Sequence, residues 1–70
     1  MAKSYEIVPN TRRGGWDVRA DSGRRLASNH RTMAAALASA MRYVNNAGGG
    51  VVLVREPDGV VRRVDGTAAD

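Results

Sequence analysis

Cysteine and phenylalanine are absent from this chain, and its 70 residues include one tryptophan, two tyrosines, two prolines and one histidine. Without cysteine there is no disulfide staple and no thiolate metal site. His30 stands beside Arg31 with no acid near it in sequence, so nucleophilic triads and histidine-based metal centres lack parts. The seven acids, Glu6, Asp17, Asp21, Glu56, Asp58, Asp65 and Asp70, are scattered. Several fall in turn-like stretches, where aspartate has a local hydrogen-bonding reason to be, and no pair is placed for acid–base work. No catalytic residue, metal ligand or cofactor is expected, no small-molecule substrate is indicated, and the chain reads as a non-enzyme.

Long apolar runs are missing too. No stretch approaches the ~18 residues that suggest a membrane helix. The opening MAKSYE has no apolar run behind its charge, so no secretory leader is expected. The lack of cysteine fits a cytoplasmic location. The length implies one domain over 1–70, with an ordered core over about 4–64 and a frayed tail over 65–70. So short a chain buries a modest share of its surface, and here Ala and Val must fill space that larger side chains usually take. Self-association would supply the missing core, and a homodimer is an expected state.

What is present is organised around Thr32–Asn46, TMAAALASAMRYVNN. Met33, Leu37, Ala40, Met41 and Val44 recur at spacings of three and four and so share one helical face. Thr32 suits the N-cap, and Gly48 suits the left-handed position that closes the last turn. The back face, Ala34, Ala35, Ala38, Arg42 and Asn45, is weakly polar. It reads either as solvated surface or as a helix-to-helix contact. Gly48-Gly49-Gly50 follows the helix with no Lys-Ser or Lys-Thr after it, so it is a helix stop and not a phosphate loop.

Short strands flank the helix. Tyr5 and Ile7 alternate with Ser4 and Glu6 over Ser4–Pro9, with Pro9 at a strand end or on an edge. Trp16, Val18 and Ala20 alternate with Asp17 and Arg19 over Gly15–Ala20, and Trp16 is expected to pack near Leu37 and Met41. Arg24–Ser28 forms a short third strand anchored by Leu26, after an Asp21–Gly23 turn, and His30 is left with a surface or capping role. Val51–Arg55 is almost wholly apolar and so central. Glu56-Pro57-Asp58-Gly59 is a hairpin turn into Val60–Val64, whose register stays open because valine and arginine occupy both faces. The fold expected is α+β, a small antiparallel sheet of four to five strands with one helix on one face, in the order β-β-(β)-α-β-β.

The formal charge is +4, and ten of the eleven basic residues are arginine. Two readings stay open. The arginine, with the high Ala, Gly and Val content, matches the codon bias of a GC-rich genome and a merely solvated surface. Alternatively it binds nucleic acid through a patch of Arg12, Arg13, Arg19, Arg24 and Arg25, extended by Arg62 or Arg63 according to register.

Ile7-Val8-Pro9, Gly14-Gly15-Trp16-Asp17-Val18, Arg25–Ser28, Thr32 with Ala36 and Ala40, Gly48-Gly49, Val52, Val54 and Asp58-Gly59-Val60-Val61-Arg62 together resemble the domain-of-unknown-function 2188 family of small bacterial proteins. The resemblance covers about residues 4 to 63. It departs from the family in the first helical turn, where Met33, Ala34 and Ala35 stand in place of acids and amides. It implies a strand-strand-(strand)-helix-strand-strand module and no reaction, cofactor or substrate. At the level of fold alone, a sheet backed by a helix is similar to the arm-binding domains of integrases.

Two functions from different classes follow. One is a protein-interaction module, most simply a homodimer or a partner of another protein. One helix screens one sheet face, so Val8, Val51, Leu53 and Val64, the apolar surplus, call for a second cover. The other is a nucleic-acid-binding accessory protein that uses the arginine patch.

Overall fold

The computed structural model describes residues 3–20 and 23–66. Five strands and one helix follow one another as β1 (Lys3–Pro9), β2 (Trp16–Ala20), β3 (Arg25–His30), α1 (Met33–Asn46), β4 (Gly50–Arg55) and β5 (Val61–Gly66). They form one sheet in the order β3-β2-β1-β4-β5, with α1 laid on one side. The α+β fold read from the sequence is the one observed.

Three of the strand pairings are antiparallel, as expected, but β1 and β4 run parallel. The reason is the helix. Two antiparallel pairings leave β3 pointing the same way as β1, and a single helix returns the chain to begin β4 in that direction. The crossover passes over β2 and β1 and delivers the apolar Val51–Val54 run next to the central strand.

Local chemistry sets the helix ends. Thr32 is extended, and its Oγ1 accepts from the Ala35 amide at 3.1 Å. At the other end the Gly49 amide donates to the Val44 carbonyl at 2.8 Å and the Gly48 amide to that of Asn45 at 3.1 Å. That double closure needs a left-handed residue after the C-cap, and Gly48 supplies it. The Thr32→Ala variant is expected to lose about 1 kcal/mol of stability. Urea titration monitored by helical circular dichroism checks this. A loss below a few tenths would mean that the Ala35 amide is satisfied by water instead.

Ala36, Ala40 and Val44 are fully buried against Ile7, Val18 and Val52, with Val54 beside them. The two alanines let the helix backbone come close to the sheet, which is how a chain without phenylalanine still closes a core. Trp16, Met33, Leu37, Met41 and Tyr43 pack around this centre while remaining partly exposed. Tyr5 and Tyr43 meet with ring centroids 5.4 Å apart. The back of the helix, Ala34, Ala35, Ala38, Arg42 and Asn45, is exposed throughout.

Four local readings change. First, β3 runs on to His30, and a bulge opposite Val18 and Arg19 leaves Ala27 without a partner. Ser28 and His30 then face the helix side, and Leu26 turns to the other face, where it is 51% exposed. It does not anchor the strand in the core. Second, His30 is half-buried at the end of β3, and its Nε2 lies 2.9 Å from Ser28 Oγ. Third, β5 has one register: Val52 faces Val64 and Val54 faces Arg62, so Val61, Arg63 and Asp65 point outward. Fourth, Asp65 belongs to that strand and not to a tail. The turn at 21–22 and the segment 67–70 lie outside the described residues.

Candidate functional site

Among the described residues nothing covers the sheet side opposite the helix, and alternation assigns the residues on it. Asp17 and Arg19 of β2, Ser4, Glu6 and Val8 of β1, Val51, Leu53 and Arg55 of β4, and Val61, Arg63 and Asp65 of β5 share it, with Leu26 and Asn29 from β3. Register places them in rows. Across the middle run Leu26, Arg19, Glu6, Leu53 and Arg63. Below them Ser4 adjoins Val51 and Val51 adjoins Asp65.

The centre of this face is apolar and its charges cancel. Val8, Val51 and Leu53 lie half-buried on the two middle strands, with Leu26 and Val61, 47% exposed, toward the edges. Around them, three arginines stand beside three acids. Arg55 Nη2 is 2.9 Å from Glu6 Oε1, Arg63 Nε 2.9 Å from Asp65 Oδ1, and Arg19 Nη1 3.7 Å from Asp17 Oδ2. Such pairs contribute little to stability where both partners are exposed, as at Arg63–Asp65. Their consequence is electrostatic: among the described residues this face has no net formal charge, and the chain's formal +4 lies elsewhere.

One charge on the face is buried. Asp17 is only 7% exposed, although it points away from the helix. Its cover comes from two amides. Asn29 Nδ2 donates to Oδ1 at 2.6 Å, and Asn10 Nδ2 lies 3.2 Å from both carboxylate oxygens. Asn10 also organises the β1–β2 loop. Its Oδ1 accepts from the amides of Arg12 and Arg13 at 3.0 and 2.9 Å, its carbonyl from Gly14 at 2.9 Å, and its own amide donates to Gly15 at 2.9 Å. Nothing in the sequence marked Asn10, Asp17 and Asn29 as a unit, because each taken alone reads as an ordinary polar residue of a loop or strand face.

The four apolar residues proposed for self-association do not fall together. Val8, Val51 and Leu53 share the uncovered face, whereas Val64 faces the helix side and packs on the core. The seven arginines proposed for nucleic acid are dispersed. Arg12 and Arg13 are exposed in the β1–β2 loop. Arg24 and Arg25 lie at the opposite end of β2. Arg19 donates from Nε to the Gly23 carbonyl at 2.6 Å and stands beside Asp17. Arg63 is held by Asp65, and Arg62, on the helix side, approaches Glu56 at 3.2 Å. Ser28 and His30 make a hydroxyl–imidazole pair, but no carboxylate among the described residues bonds to the ring. No group of three metal-ligating side chains occurs there either. No helix among the described residues is long and apolar enough to cross a membrane.

These features define a small α+β domain with one helix, one mixed five-stranded sheet and one bare sheet face. A family model for uncharacterised proteins conserved in bacteria, DUF2188, matches residues 5–65, and the chain belongs to that family. Searches of curated proteins and of solved structures found no match.

Proposed function

We propose that this protein is a non-enzymatic interaction module that pairs with a second copy of itself through the uncovered sheet face. The observation that carries the reading is the composition of that face. Its centre is apolar, at Val8, Val51 and Leu53, and its rim of acids and arginines sums to zero. Two copies of a chain with formal charge +4 repel at long range, and a neutral face is where they can approach most closely. Charges of both signs on one face also allow each copy to offer the other opposite partners.

Size supports the same occupant. Strands about six residues long, at about 3.3 Å per residue and 4.8 Å apart, give a face roughly 20 Å on each side. Two such faces bury on the order of 1,000 Å² in total, at the lower bound for a specific interface. The expected dimer is therefore concentration-dependent and not obligate. A cytoplasmic location goes with this reading.

Sedimentation equilibrium of the native chain and of Leu53→Lys tests it. The native chain is expected to move from monomer toward dimer as concentration rises through the micromolar range. The Leu53→Lys variant is expected to weaken association at least tenfold while keeping its helical circular dichroism. A native chain that stays monomeric to millimolar concentration would defeat the proposal.

A further inference from the structure

Three arginines with no side-chain partner among the described residues come together at a place that the sequence pattern did not indicate. β1 and β3 run in the same direction, so the loop leaving β1 and the junction leaving β3 emerge at the same end of the sheet. There the two backbones touch: a Cβ built on Gly15 would lie 3.6 Å from the Cα of Arg31. Arg12 and Arg13 sit on the first loop and Arg31 on the second, and all three are exposed. None of their side chains has a hydrogen bond or ion pair among the described residues.

We propose that Arg12, Arg13 and Arg31 form a phosphate-contacting rim that binds the backbone of nucleic acid. Asn10 fixes the loop by accepting from the amides of Arg12 and Arg13, so both arginines project from an ordered turn. An ordered loop loses less entropy on binding. The guanidinium fork matches phosphate oxygens in a bidentate way. Acids do not cancel the rim. Asp17 beneath it has Arg19 beside it and accepts from Asn10 and Asn29, and Glu56 and Asp58 belong to the β4–β5 hairpin, which leaves the same end of the sheet beyond β1, where Asp58 accepts from the Val60 amide. Glu56 already has Arg62 beside it.

A bilayer surface fits less well, because membrane-surface elements combine basic residues with an apolar wedge. Of the exposed large apolar residues, Leu26 lies toward the other end of β3, and Val60 and Val61 lie at the start of β5, separated from these three arginines by β1 and β4. The rim is separate from the neutral sheet face and does not depend on the dimer.

Fluorescence anisotropy with a short mixed-sequence DNA duplex tests the proposal. Three phosphate contacts give a log–log salt slope near about −2.7, so raising salt from about 50 to 200 mM should weaken binding roughly 40-fold. The Arg12→Ala/Arg13→Ala/Arg31→Ala variant is expected to lose at least tenfold in affinity at low salt and most of that slope. The Arg24→Ala/Arg42→Ala/Arg62→Ala variant, with the same loss of formal charge, should stay within about threefold of the native chain. Circular dichroism confirms that both variants fold. Equal weakening in the two variants would reduce the effect to net charge and overturn the proposal. So would a native chain that ignores DNA at low salt, including one that binds vesicles of anionic lipid or a polyglutamate peptide instead.

Discussion

Gly15→Ala is expected to cost about 3 kcal/mol or more, a large share of the roughly 4–10 kcal/mol that a domain of this length commands. Two effects combine at this position. Gly15 has φ +78°, a conformation that costs an L-residue about 1–2 kcal/mol. A Cβ there would also overlap the backbone carbonyl of His30, which is part of the β2–β3 ladder and has little room to move. Gly14 is the internal control. Its φ is +82°, but nothing lies within 4 Å of a Cβ built on it, so Gly14→Ala should cost only about 1 kcal/mol. Thermal melts separate the two variants. At about 4–8 °C per kcal/mol for a domain this small, Gly15→Ala should melt more than ~12 °C below the native chain. Equal shifts at the two glycines would mean that the β3–α1 junction yields, and that the close approach of the two loops is not a constraint.

Asp17→Ala should be nearly as damaging, at about 3 kcal/mol, although the residue lies on the uncovered side of the sheet. The carboxylate is buried, and it accepts from Asn29 at 2.6 Å and from Asn10 at 3.2 Å. Truncation takes a charged acceptor from both amide groups, and the half-buried Asn10 replaces it with water less readily than the exposed Asn29. The damage should travel, because Asn10 is also the residue that accepts from the Arg12 and Arg13 amides. Hydrogen exchange measured by NMR should show those two amides losing protection in Asp17→Ala, while the amides of β4 change only in step with global stability. If Asp17→Ala were neutral and Asn10→Ala were not, the loop would be held by its own turn and not by the carboxylate.

Much of this fold was legible because the signals were local. Thr32 and Gly48 bounded the helix correctly, since capping is a matter of a few neighbouring residues. Alternation of Trp16, Val18 and Ala20 against Asp17 and Arg19 assigned the faces of β2, and Glu56–Gly59 placed the hairpin, whose Gly59 amide donates to the Glu56 carbonyl at 2.9 Å. What escaped depended on partners distant in sequence. The parallel pairing of β1 with β4 follows from the direction in which a crossover helix returns the chain, which no single strand encodes. The bulge at Ala27 inverts Leu26, and no residue around it signals an extra backbone unit. For β5, where valine and arginine occupy both faces, only pairing with β4 decides that Val64 goes in and Arg63 out.

The candidate sites follow the same division. Val8, Val51 and Leu53 could be grouped from alternation alone, and they do share a face. The arginine set could not. Arg12 and Arg24 are close in sequence, yet the β2–β3 hairpin carries them to opposite ends of the sheet. Arg31, eighteen residues beyond Arg13, comes to lie beside the Arg13 loop because Gly15 packs against the β3–α1 junction. Alternation placed Asp17 on one strand face with Arg19, but its hydrogen bonds come from Asn10 and Asn29 in the two flanking segments.

An isotope-filtered NMR experiment on a mixture of labelled and unlabelled copies, at high protein concentration, shows where two copies meet. Intermolecular contacts are expected from the methyl groups of Val8, Val51 and Leu53, with their loss on dilution. Contacts confined to the methyl groups of Ala34, Ala35 and Ala38 would place the interface on the back of the helix and contradict the sheet-face dimer. So would the absence of any intermolecular contact.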